Sequence, residues 1–123
     1  MYFDVDADLN MFKALKNGQK FKGACHADDL FYLFTTVYHD PPASGTKEFE
    51  TIRKYSGMIT SFAKTGGPNC DEIPHLDIQP IDGSSELECI LITSSEVSLN
   101  ALPIEENMKV FDSIYDDRGI PLY

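Results

Sequence analysis

The sequence predicts an α/β fold on three observations. Tyr2 to Asp6, YFDVD, alternates residue types as a short strand does, and Glu86 to Thr93, ELECILIT, has the β-branched and aliphatic content of a buried one. Between them Phe49, Ile52, Tyr55, Ile59 and Phe62 recur at steps of three and four, the spacing of one helix face. Length and composition set the scale. A chain of 123 residues predicts a single domain, 1–123, and buries somewhat over 60% of its unfolded surface. With 42% apolar and 24% charged residues the expectation is a globular chain, not a disordered one.

In chain order, the strand at Tyr2 to Asp6 places Asp4 and Asp6 towards one side. Leu9, Met11, Phe12 and Leu15 then form one face of a short helix that stops at the Asn17-Gly18 turn. Lys13, Lys16, Lys20 and Lys22 make the one basic patch, expected to be a solvated face. Asp28 and Asp29 open a second helical turn, where carboxylates meet the positive end of a helix dipole, and Leu30 to Phe34 is expected to be buried behind it. His39 to Gly45, HDPPASG, is a loop. Thr46 caps the long helix, which carries packing residues and no chemistry, and Gly66-Gly67-Pro68 ends it. Pro74, Pro80 and Gly83 make Asn69 to Ser85 irregular. A last helix spans Ile104 to Tyr115, with Met108, Phe111 and Tyr115 on one face and Arg118-Gly119 and Pro121 as its stop.

The chemistry concentrates in Gly23 to Phe34, GACHADDLFYLF. Histidine exchanges protons near neutral pH, its unperturbed pKa being about 6.5. Gly23, Ala24 and Ala27 leave the backbone around His26 unencumbered, so that the imidazole can stand at a loop tip. By composition alone the segment admits two readings, an acid-base histidine and an exposed or capping one. Asp29, three places on, is of a type common at helix starts.

Gly23, His26, Asp29, Leu30, Tyr32, Leu33 and Phe34 together resemble the catalytic-histidine segment of type B carboxylesterases, and the wording HADDL with Tyr32 and Phe34 is most similar to insect α-esterases. Phe62 to Asn69, FAKTGGPN, is similar to the segment closing a late helix in that family, and Met108 to Tyr115, MKVFDSIY, resembles its C-terminal helix. The resemblance implies a partial α/β-hydrolase fold, its C-terminal strands and helices only, with Glu86 to Thr93 as the last sheet strand. It implies His26 as the triad base of a carboxylic ester hydrolase and Asp29, three places after it, as a supporting residue that fixes the loop by hydrogen bonds and is not the triad acid. In that fold the triad runs serine, acid, histidine, with the serine on a G-x-S-x-G elbow. No such elbow occurs here, since Gly83-Ser84-Ser85 lacks the second glycine. The isolated chain is accordingly expected to be inactive, and a small-molecule ester is its substrate only when it is joined to upstream sequence. The family also carries tryptophan in the long helix and in the connection after it. This chain has none, and Ile59 and Ile78-Gln79 stand near those places. The alternative reading is a truncated, non-catalytic relic that binds through sheet edges and apolar surface.

The remaining function classes are set aside on charge and spacing. A net charge of −10 opposes a phosphate-binding surface, so neither nucleic acid nor an anionic membrane is an expected partner. MYFDVDADLN lacks the charged-then-apolar order of a secretory signal, and no apolar run approaches membrane-spanning length. The absence of an N-x-S/T sequon leans towards an intracellular protein, with the compartment left open. Three cysteines, an odd number at irregular spacing, build no disulfide framework. Of the possible zinc ligands Cys25, His26, Cys70, His75 and Cys89, only Cys70 and His75 approach a ligand-pair spacing, so no cofactor or metal is expected.

Overall fold

A computed structural model describes residues 1–18, 20–81, 88–101 and 103–119. Three strands form one mixed sheet, β1 (Tyr2–Asp4), β2 (Glu88–Thr93) and β3 (Val97–Ala101), in the order β1-β2-β3. β1 runs parallel to β2, with Tyr2 opposite Leu91 and Asp4 opposite Thr93, while β3 returns antiparallel, with Ile92 opposite Val97. Parallel neighbours need a long crossover. It carries α1 (Met11–Leu15), a 3-10 helix (Asp28–Tyr32) and α2 (Lys47–Thr65), and α3 (Glu105–Asp117) follows the sheet.

β1 is shorter than the alternation predicts, for a specific reason. The Val5 carbonyl accepts from the Asn10 side chain at 2.7 Å, and the Asp6 N–H donates to the Ser94 hydroxyl at 2.7 Å, so the backbone leaves the ladder at Val5. β3 is an additional strand beyond the expected last one. Its alternation of Val97, Leu99 and Ala101 is the period-two signal, compressed behind a Ser94-Ser95 turn. Glu86 and Leu87 of the predicted strand, Gly83, and the Pro121 stop lie outside the described residues.

The core forms where β1 and β2 meet α2 and the 3-10 helix. Val5, Tyr32, Met58, Ile73 and Ile92 are essentially inaccessible, and Phe3 lies between Tyr32 and Tyr55 with ring centroids 5.1 and 5.4 Å away. Burial pushes the Tyr32 hydroxyl well above the usual phenol range, with the Glu48 and Asp28 charges adding to it. That hydroxyl stays protonated and donates to Asn10 Oδ1 at 2.8 Å, which closes a buried chain Tyr32–Asn10–Val5.

Three expectations are corrected. Leu30 to Phe34 is only partly buried: one 3-10 turn presents Phe31 and Tyr32 inward and leaves Leu30 and Phe34 largely open. Thr46 does cap α2, accepting from Phe49 N–H, and Gly66 ends it at φ 80°, but the stripe facing the core is Thr51, Tyr55 and Met58. Ile59 and Phe62 instead line an apolar groove of about 670 Å³ with Ile78, Cys89, Ile90 and Leu99. Lys13 is not part of a solvated face. It is buried, with Nζ donating to Asp6 and, at 2.8 Å, to the Gly23 carbonyl, because its long stem lies in the interior while its head meets polar atoms. Among the described residues no helix is long and apolar enough to cross a membrane.

The hydrogen bond from Lys13 holds the Asp6 carboxyl below its usual range. A lowered folded-state pKa means that this stability is present above pH 4 or so, the ordinary carboxylate value, and is lost on further acidification. Lys13→Ala is expected to cost about 1–3 kcal/mol at neutral pH from the lost hydrogen bonds and stem packing. It is also expected to flatten the acid limb of a urea-midpoint profile between about pH 5 and 3. An unaltered acid limb contradicts the pairing.

Candidate active site

His26 occupies the tip of a reverse turn built by its neighbours. The Asp28 N–H donates to the Cys25 carbonyl at 3.1 Å, and Ala27 sits in the left-handed region at φ 68°, ψ 8°. Those angles fit the third position of a type II turn, with His26 at the second. Alanine there costs about 1–2 kcal/mol relative to glycine, so the surrounding contacts must hold the turn.

The Asp28 carboxylate supplies those contacts. The residue is fully buried, Oδ1 accepts the N–H groups of Phe12 and Lys13 at 2.9 and 3.1 Å, and Oδ2 accepts the Cys25 N–H at 2.7 Å. α1 begins at Met11, so two of its unpaired amides are satisfied from 15 and 16 positions away. Gly23 begins the same loop at φ 81°, where an added Cβ would stand 2.1 Å from Asp4 Oδ1. The loop is thereby seated at the carboxyl end of β1, the end at which open α/β sheets place their ligands. Ser94 ties that end to the β2–β3 turn, donating to the Asp6 carbonyl at 2.9 Å.

The imidazole of His26 itself is exposed, and among the described residues no carboxylate or hydroxyl hydrogen-bonds to it. Asp29 makes no bond to the turn. Its Oδ2 accepts from the Tyr55 hydroxyl at 3.4 Å, joining the 3-10 helix to α2, and the Tyr55 phenol is raised by burial first and by the Asp29 charge second. The hydrogen bonds expected of Asp29 on the loop thus belong to Asp28, one residue earlier. His39 packs edge-to-face with Phe31, centroids 5.9 Å apart, and its enclosed Nε2 has no hydrogen-bond partner among the described residues. His75 Nε2 lies 3.2 Å from the Val97 carbonyl. Cys25 is an exposed free thiol, Cys70 half-buried and Cys89 buried. Burial raises the Cys70 thiol. Among the described residues no three histidine, cysteine or acidic side chains gather as metal ligands. The apolar groove beside α2 does not include His26 in its lining.

The sequence pointed to neither Asp28 nor Lys13 as a fastening of this loop. For Asp28 the local signal was an aspartate three residues after Cys25, able to bond back to that residue's amide, but its partners on α1 carry no sequence signature.

Residues 2–109 match the model of the Carboxylesterase family. Esterase B1 of Culex pipiens is 23% identical over 114 residues, a match covering 86% of this chain and 20% of that protein. The chain thus spans about a fifth of the length of the curated relative it matches.

Gly23→Ala is expected to lower stability by about 2–3 kcal/mol, because it combines left-handed strain with a clash against Asp4. Ala27→Gly is expected to raise it by about 0.5–1 kcal/mol, turn strain relieved less chain entropy lost. Urea denaturation of both variants checks the pair, and a neutral Gly23→Ala or a destabilising Ala27→Gly contradicts the turn geometry.

Proposed function

Because the chain belongs to the carboxylesterase family, a family of ester hydrolases, we propose that it is the C-terminal part of a carboxylic ester hydrolase, with His26 as its general base. On this reading residues 1–123 are a partial α/β-hydrolase fold, the last strands and helices of a longer enzyme. The observation that carries it is the presentation of one free imidazole on a fastened turn at the carboxyl end of a parallel strand pair, inside the stretch that matches the family.

His26 takes the proton from a serine hydroxyl as the oxygen attacks the ester carbonyl, then returns it to the leaving alcohol. The serine and the acid that orients the second imidazole nitrogen come from sequence preceding this segment, in the chain order of α/β-hydrolases. Backbone amides near the serine stabilise the oxyanion. Asp29 serves as a supporting residue by tying the 3-10 helix to Tyr55. The substrate class is a small carboxylic ester, and the segment turns over substrate only when joined to those partners.

The open groove at Ile59 and Phe62 and the exposed apolar side of α3, where Met108, Phe111, Ile114 and Tyr115 are 41–54% exposed, favour a second reading. A relic binding through this surface would show the same features. The isolated 123-residue polypeptide is expected to hydrolyse p-nitrophenyl esters no faster than buffer. Turnover by it alone that His26→Ala abolishes contradicts the incomplete-triad reading. A stable, cooperatively unfolding monomer with no activity in any longer context favours the relic.

A further inference from the structure

We propose that Asp28 is the positioning residue of the His26 turn: its one carboxylate locks the histidine backbone to the start of α1. A carboxylate wholly removed from water is costly unless its lone pairs are filled. Capping α1 needs only Oδ1, which takes both helix amides. The second oxygen is committed to Cys25 N–H, the amide immediately before the histidine, and this is its shortest bond, at 2.7 Å. Cys25 and Asp28 are therefore bonded in both directions, side chain to amide and amide to carbonyl, and only His26 and Ala27 lie between them.

The same short helix fastens the other end of the loop. Lys13 donates its N–H to Asp28 and its ammonium to the Gly23 carbonyl, so Gly23 and Cys25 are both tied to the same short helix. Asp29 stands off the turn, on Tyr55. The carboxylate nearest the histidine by structural effect is thus the one at position 28. For catalysis the inference rests on the reading of His26 as a base, because a misplacement of about 1 Å costs such a group on the order of a hundredfold in rate. The clamp itself is a property of the fold and is tested without any ester.

The test uses the 123-residue chain and amide hydrogen exchange read by NMR. In Asp28→Asn the remaining oxygen still accepts from Phe12 and Lys13, but the amide nitrogen faces Cys25 N–H donor to donor. Exchange at Cys25 is expected to accelerate at least tenfold, with Phe12, Lys13 and the α2 amide of Met58 within about threefold of the parent. Asp29→Asn is expected to leave all four unchanged. A helix cap alone would move Phe12 and Lys13 and spare Cys25. That pattern, unchanged Cys25 exchange in Asp28→Asn, or opening by Asp29→Asn overturns the proposal. Should Asp28→Asn not fold, the parent chain decides: a through-hydrogen-bond coupling from the Cys25 amide nitrogen to the Asp28 carboxyl carbon is expected, and its absence overturns the assignment. Hydrolysis by a longer enzyme that survives His26→Ala would defeat the base and leave the clamp standing. A missing coupling would defeat the clamp and leave the base.

Discussion

A single buried carboxylate, that of Asp28, holds the His26 turn against the start of α1. Asp28 accepts three backbone N–H bonds, and hydrogen bonds to a charged group contribute about 1.5–3 kcal/mol each. Leaving such a charge unpaired costs several kcal/mol. Those bonds outweigh the roughly 1–2 kcal/mol of strain at Ala27, so the left-handed residue beside His26 is sustained by its neighbours rather than by its own preference. Lys13 adds the second fastening through Gly23 and orders Asp6 at the end of β1. The consequence is an imidazole whose backbone is fixed from two sides while its ring stays in solvent.

The framework around this turn is finished on one side and open on the other. Phe3, Tyr32 and Tyr55 close the core between β1, the 3-10 helix and α2. Towards the C-terminal half of α2, Ile59 and Phe62 face the groove, and α3 leaves its apolar residues in contact with water. A helix of 13 residues gains most of its stability from packing an amphipathic face. Exposed apolar surface of this extent marks a place where something packs, and it is compatible with both proposed readings, a segment of a larger fold and a relic that binds through it.

Much of this was legible in the sequence. Local pattern and composition located two of the three strands, the long helix and its caps, because those signals act over a few residues: Thr46 three positions before Phe49, and Gly66 where a left-handed residue ends the helix. The segment around His26 was legible by resemblance, and residues 2–109 bear out the family. What was not legible depends on contacts across the chain. Lys13 looks like any surface lysine until Gly23 and Asp6 are placed beside it. Asp28 and Asp29 are indistinguishable by type, and only the fold shows that one meets α1 while the other meets Tyr55. The inward stripe of α2 differed from the periodic one for the same reason, since Met58 is enclosed in the core cluster with Val5, Ile73 and Ile92 while Phe62 stays largely exposed.

The central claim, that His26 is the base of an esterase whose other catalytic groups precede this segment, is met most directly by the native polypeptide. An antibody to residues 46–69 followed by peptide mapping gives its size and upstream sequence. The expected result is a chain several times longer than 13.8 kDa with a G-x-S-x-G peptide before the matched stretch. A native polypeptide of 13.8 kDa carrying no such peptide would contradict it.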